Sequence, residues 1–410
     1  MQSVCNLYSG HDRLRSGAYQ MGPVSRDRET ATRLIGKVSF RRSQEVAYLD
    51  TAAEGLPPQS TQEALARYYQ EKSTGTPGRR RLFAEESETR QLAGRLLGTS
   101  VDRVALLSNA SEGLNRLAAS IAWQPGDEIL IDDLEFPSNV VVWLPLRDRG
   151  VVVRVAPSTD GVLRLEDFTA RIGPRTRLVS VSQVSYKTGT QLSFLPELAG
   201  EAHRAGAFFC VDATQALGRV PVGVEGVDYL VASSYKWLLG VHGVGIVYLS
   251  PELEERLTPA AVGWYSIRDL FTSQRFETFS YKSGAARLVL GMPNFPSMYS
   301  LREGLEYLLA IGIERIESTL RPLVRNLRSG LEERGFGLLT PAGPEYASGI
   351  VSFAHADAED IGAKLEREGV IVWAGDGRVR MSLHLYNDES DVDRLFTALD
   401  RIPVAAGSRV

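Results

Sequence analysis

"DYLVASSYKWLLGVHGVGIVYL" (residues 228–249) sets one lysine between two apolar, β-branched runs. The outer runs, "DYLVAS" and "VGIVYL", show no polar alternation and read as strands buried on both faces. Between them Lys236 directly follows Ser233, Ser234 and Tyr235, and Gly240, Gly243 and Gly245 then remove bulk. A lysine that attacks a carbonyl must spend time unprotonated, which burial and crowding encourage. Taken alone, the same residue also fits an apolar stem carrying its charge to the surface.

Working outward, five more runs have the same texture: "RVALLS" (103–108), "EILID" (128–132), "VVVRV" (151–155), "RLVSVS" (177–182) and "AFFCVD" (207–212). Amphipathic segments with helical spacing lie between most of them, such as "EGLNRLAASIA" (112–122) and "LPELAGEAHRAG" (195–206). This order predicts an α/β fold with a mostly parallel, seven-stranded sheet covered on both sides. Ligands of such sheets sit outside the carboxyl ends of the strands. Beyond residue 300, "LREGLEYLLAIGIERIESTLRPLVRNLRSGLEERG" reads as two long helices. Short runs "GIVSFA" and "RVRMSL" and a closing helix "DESDVDRLFTALDRI" complete a smaller α+β C-terminal domain. The expected organisation is an N-terminal arm over 1–50, a large domain over 51–295 and a small domain over 296–410.

Composition narrows the function classes. The 410 residues are 43% hydrophobic and 23% charged, the balance of a soluble globular protein. A net charge of -4 offers no basic field for phosphate backbones, so nucleic acid is not an expected partner. No apolar run approaches the roughly 20 residues that span a bilayer, and the polar opening lacks the apolar stretch of a secretion signal. Neither a membrane nor export is expected, which leaves a cytoplasmic location. Cys5 and Cys210 cannot build a disulfide framework, and the five histidines lack ligand spacing, so no metal site is expected.

Three strand ends carry the chemistry. In "SNASEGLN" (108–115), Ser111 and Gly113 open a helix, whose free N–H groups and about half a positive charge attract an anion. Half a charge cannot balance a phosphate of about -1.5 to -2, so further donors must converge, and Ser111, Ser233 and Tyr235 suit that role. The plainer reading is a helix cap by Ser111 or Asn109. In "VDATQ" (211–215), Asp212 ends an apolar strand; it either forms a turn or holds a protonated ring nitrogen, since an opposite charge in contact shifts a pKa by about 1–3 units. Lys236 is the third. The conjunction of all three on one sheet edge carries more weight than any one of them.

At these residues the chain resembles the class V aminotransferases, fold-type I enzymes that use pyridoxal 5′-phosphate (PLP), from "YLDTAAEGLPP" (48–58) to "RVRMSLHLYNDESDVDRL". The resemblance implies that Lys236 forms the Schiff base with the cofactor and later serves as base, while Asp212 pairs with the pyridine nitrogen. It implies that Gln215 hydrogen-bonds the phenolic oxygen. The phosphate would be held by Ser111, Ser233 and Tyr235 with the amides of Ala110 and Ser111. Phe136 in "EFPSN" (135–139) stands where many members stack a histidine on the ring, as in the kynureninase branch. Tyr186 in "QVSYKTG" (183–189) lies near the substrate carboxylate, where an asparagine often appears, and Arg380 matches the arginine that clamps that carboxylate. The plainer readings are core for Phe136 and a surface salt bridge for Arg380.

The resemblance also implies a homodimer whose sites are shared, with "GMPNFPS" (291–297) reaching the neighbouring site. There Met292 replaces the usual threonine and offers only its backbone N–H to the phosphate. Trp264 in "GWYS" is expected near the neighbouring site or in the core. The basic run Arg79–Arg81 in "PGRRRLF" (77–83) either meets a substrate or is a solvated helix start. Cysteine desulfurases of this family need a mobile cysteine just before the arginine matching Arg380, and "EGVIVWAGDGRVR" (368–380) has none. The expected activity is therefore β-elimination from a cysteine S-conjugate, a C–S lyase reaction, possible in secondary metabolism. Transamination, epimerisation, kynureninase-type cleavage, decarboxylation-dependent deamination and a non-catalytic PLP-binding role are the alternatives.

Overall fold

The computed structural model describes residues 37–402, so most of the expected N-terminal arm and Cys5 lie outside the described residues. The strands are β1 (Ala47–Tyr48), β2 (Val104–Leu107), β3 (Glu128–Asp132), β4 (Val152–Ala156), β5 (Thr176–Ser182), β6 (Phe208–Asp212), β7 (Tyr229–Ser233) and β8 (Gly245–Leu249). Seven of them form one sheet in the order β2-β8-β7-β6-β5-β3-β4. Only β8 runs against its neighbours β2 and β7, and every other pairing is parallel. Because β2 and β7 are both antiparallel to β8, their carboxyl ends share an edge with the amino end of β8. This places Asn109, Asp212, Lys236 and Gly243 along one side of the sheet.

The absence of polar alternation in these strands has a direct cause. Val179, Val181, Phe209, Val211 and Leu230 pack into one apolar core, and their sequence neighbours Leu178, Phe208, Cys210, Tyr229 and Val231 pack into a second on the other face. The strand expected from "VVVRV" departs from this pattern. It forms β4, but Val152 and Val155 are exposed at 46% and 48%, not buried on both faces. β4 is an edge strand, paired only with β3, and an apolar run does not reveal which strand will lack a second neighbour.

Beyond residue 294, Phe295–Ile311 and Ile313–Glu333 are the two long helices, separated at Gly312, whose φ of 90° a side chain would strain. The remaining strands are β9 (Ile350–Ala354), β10 (Val370–Ile371), β11 (Trp373–Gly375) and β12 (Arg378–Ser382). β11, β12 and β9 form an antiparallel sheet. β1 pairs in parallel with β10, and Asp50 bridges to Ser382, so "YLDTAAEG" runs beside β12 before it reaches the large sheet. There the Gly55 N–H donates to the Tyr235 carbonyl at 2.8 Å. A Cβ on Gly55 would fall 1.8 Å from the Lys236 carbonyl oxygen, so only glycine fits. Among the described residues no helix is long and apolar enough to cross a membrane.

Candidate active site

A cavity of about 440 Å³ opens at the carboxyl ends of β2, β5, β6 and β7. Ala110, Ser111, Phe136, Tyr186, Asp212, Gln215, Ser233, Tyr235 and Lys236 all line it. Lys236 leaves the end of β7 with only 7% of its surface exposed. Its Nζ lies 5.4 Å from the ring centre of Phe136 and 5.7 Å from that of Tyr235. Burial, followed by the charge of Arg380, pulls its pKa from an ordinary 10.5 down to about 8, against the opposing pull of Asp212, Glu54 and Asp50. An ordinary lysine is almost wholly protonated at pH 7, whereas roughly a tenth of this one carries a free lone pair.

The shift has a testable sign. Were Lys236 the amine that captures PLP, only its deprotonated form would react, and its depressed pKa would move the onset of reactivity to lower pH. The rate at which cofactor-free protein captures PLP should rise about tenfold per pH unit below pH 8 and level off above it. Stopped-flow absorbance would show this, and a rate still climbing at pH 10 would contradict it.

Asp212 is buried, and its Oδ1 accepts from the Thr214 N–H at 2.8 Å. Burial raises its pKa, while Thr214 and the charge of Lys236 oppose the rise. A carboxylate so placed is best completed by a cation inside the cavity. Thr214 also accepts from the Ser233 N–H at 3.2 Å, tying the ends of β6 and β7 together. Gln215 is oriented at both ends of its amide: Nε2 donates to the Ala52 carbonyl at 3.0 Å, and Oε1 accepts from the Trp237 indole at 2.7 Å. One Nε2 hydrogen is left over for a ligand.

The helix start splits the roles read from its sequence. Asn109 is the N-cap, its side chain accepting from the Glu112 N–H at 2.8 Å, so the plain capping reading belongs to Asn109. Ser111 is free of that duty, and its Oγ donates to Ser138 Oγ at 2.9 Å. The Ala110 N–H donates to Ser233 Oγ at 3.2 Å, which joins two of the groups assigned to an anion. The glycines after Lys236 mainly serve the protein: Gly243 has a φ of +94°, and a Cβ on Gly245 would lie 3.0 Å from the Asn109 backbone. His242 stacks on Tyr235 at 4.4 Å, with Nε2 3.1 Å from Glu54 Oε1.

Phe136 stands edge-on to Tyr186 at 5.0 Å and is 41% exposed, which excludes the plain core reading. Its loop is anchored by Glu135, which accepts from the Ser182 N–H and from Ser182 Oγ. Burial drives the Glu135 pKa well up, helped by the charge of neighbouring Asp132, whose own pKa burial also raises. Arg380 is not among the residues lining the cavity; it is 3% exposed, and its Nη1 donates to the carbonyl of the lining residue Tyr186 at 2.9 Å. Its nearest carboxylate is Asp50 at 3.7 Å, too far for a hydrogen bond and not a surface pair. Met292 is absent from the cavity of its own chain and is 42% exposed, as is Trp264 at 41%. Arg79–Arg81 begin the exposed first turn of the helix Arg79–Leu97, the solvated reading of that run.

The family model for Aminotransferase class-V matches residues 47–395. The chain belongs to the class-V aminotransferase family. A relative in that family, a cysteine desulfurase of Dickeya dadantii (strain 3937), is 30% identical over 387 residues, covering 88% of this chain and 92% of its own. The apo structure of a cysteine desulfurase from Thermococcus onnurineus NA1 superposes with a TM-score of 0.82 at 26% identity, over 89% of this chain and 96% of the other. The cystine C-S lyase C-DES, solved with its reaction product cysteine persulfide, has the same fold at a TM-score of 0.82 and 22% identity, over 88% of this chain and 99% of its own. As a class-V aminotransferase the protein is an enzyme that uses PLP. Its residues fit that cofactor: a buried amine and a buried carboxylate face one cavity, which also holds a flat aromatic ring and a helix start ringed by hydroxyls.

Proposed function

We propose that this enzyme is a C–S lyase that carries out β-elimination on a cysteine S-conjugate. The observation that carries this reading lies just before Arg380. Trp373–Gly375 and Arg378–Ser382 form a hairpin closed by only Asp376 and Gly377, both at positive φ (47° and 69°), the backbone of a tight two-residue turn. A mobile thiol-bearing loop has no place there. The one cysteine among the described residues, Cys210, is buried in β6, where burial pushes its pKa up and keeps it a thiol. Persulfide transfer to an enzyme thiol is therefore disfavoured, although relatives are named cysteine desulfurases.

In this reading Lys236 holds PLP and then removes the α-proton, Asp212 keeps the ring nitrogen protonated, and Phe136 covers the ring. The phosphate meets Ser111, Ser233, Tyr235 and the amides at Ala110 and Ser111. The bound cofactor supplies the electron sink at Cα. Arg380 grips the α-carboxylate, with Tyr186 and Asp50 setting its position. The overall change is RS–CH2–CH(NH3+)–COO- plus water giving RSH, pyruvate and ammonium. The Cβ–S pair leaves with sulfur, which takes a proton.

A second copy of the chain completes the site in this proposal. Trp264, Phe271, Phe276, Phe279 and Met292 are large apolar side chains exposed at 41%, 62%, 83%, 53% and 42% over one stretch of sequence, a pattern that calls for a cover. The Met292 segment then reaches the neighbouring phosphate. A role in secondary metabolism and a cytoplasmic location belong to the same reading. The test is to incubate holoenzyme with cysteine S-conjugates and measure thiol, pyruvate and ammonia. Equal amounts of all three are expected; amino-group transfer to a keto acid with no thiol released would refute the elimination reading.

A further inference from the structure

Arg378 stands two residues before Arg380 on β12, so the two side chains leave the same face of the strand. It is 3% exposed, yet Nε and Nη2 are buried with no hydrogen-bond partner. Its nearest carboxylate, Asp376, is 3.6 Å away on a side chain 75% exposed at the hairpin tip. Arg219, also buried, leaves Nη2 idle but is ion-paired with the largely buried Glu317, whereas Arg378 has two idle nitrogens and no buried carboxylate partner among the described residues. A buried guanidinium with idle N–H groups costs stability unless something else uses them.

Arg378 is also held in place. Its Cζ lies 4.4 Å from the ring centre of Trp373 and 5.3 Å from that of Tyr186. Tyr186 lines the Lys236 cavity, and its carbonyl accepts from Arg380. The two guanidinium groups therefore flank a single cavity residue, and among the described residues Asp50 is the only largely buried carboxylate within ion-pair distance of either. One α-carboxylate cannot answer both cations.

We propose that Arg378 reads a second anionic group, so that the substrate is an amino acid whose side chain ends in a carboxylate or a similar planar acid. The rings of Trp373 and Tyr186 hold the guanidinium in place, and its unpartnered Nε and Nη2 form one edge suited to a forked, in-plane pair, the geometry a carboxylate supplies. This inference rests on the reading of the cavity as an amino-acid site clamped by Arg380. Under the elimination reading, the substrate is a cysteine S-conjugate with an acid on the departing sulfur substituent. Tyr186, at the position where asparagine is common, then forms the wall between the α-carboxylate and the distal acid.

The test compares S-(2-carboxyethyl)-L-cysteine with its amide, S-(2-carbamoylethyl)-L-cysteine, on the holoenzyme. Binding is measured by the cofactor absorbance change and by calorimetry, for wild type, R378M and R378K. Wild type should bind the acid roughly 10- to 100-fold more tightly than the amide, as a charge-assisted hydrogen bond provides. R378M should erase that preference while changing amide binding less than about threefold, and R378K should keep part of it. Equal binding of acid and amide by wild type overturns the proposal. So does an R378M variant that weakens both alike, and circular dichroism separates that result from misfolding. Thiol release in the same samples reports on elimination independently: a retained acid preference without thiol refutes the reaction and leaves the Arg378 assignment standing.

Discussion

Lys236→Ala should lose the visible absorbance of lysine-linked PLP and lose turnover by at least about 10²- to 10⁴-fold, the range a positioned acid–base group contributes. The expectation follows from placement. The amine is 7% exposed, and burial and Arg380 bring its pKa to about 8. Its loss also removes a cation facing Asp212 and Asp50. The fold should survive, because the Gly55 contact and the turn to Gly243 are made by backbone. Absorbance spectra and product assays on the purified variant check this. Retention of the visible band would show that another amine holds the cofactor.

Asp212→Ala is expected to cost nearly as much by a different route. A carboxylate at contact distance raises the pKa of a ring nitrogen by about 1–3 units, which is about 1.4–4 kcal/mol and a factor of roughly 10 to 10³ in the protonated population. That population sets how well electrons from Cα are accepted, so turnover should fall by a similar factor and PLP should bind more weakly. Asp212→Asn, which keeps the shape and the reach to Thr214, should behave like alanine in rate and closer to wild type in stability. A near-normal rate in either variant would mean that the ring nitrogen needs no partner.

Much of the site was legible because it lies at strand ends. Asp212 closes an uninterrupted apolar run and Lys236 follows another, and both features survive without knowledge of any neighbour. The seven strands were readable for the same reason, except that β4 carries the apolar signature while standing at an edge. What stayed hidden were groups defined by long-range contact. Asp50 reaches Arg380 only because β1 pairs with β10 and the following residues run beside β12. Glu135 gains its role only when its loop folds onto Ser182, a contact between residues 47 positions apart. The need for Gly55 arises only in the folded chain, where the Lys236 carbonyl oxygen passes 1.8 Å from where a Cβ would lie. Arg378 looked like one more strand residue, and only its burial and idle N–H groups distinguish it.

The central claim is that Lys236 is the amine that carries the cofactor, opposite Asp212 in one cavity. Its most direct test is to reduce the holoenzyme with borohydride, digest it and locate the phosphopyridoxyl group by peptide mass mapping. The label is predicted on the peptide containing Lys236 and, in the Lys236→Ala variant, on none. A label on any other lysine of the wild-type enzyme, with Lys236 unmodified, would contradict the account.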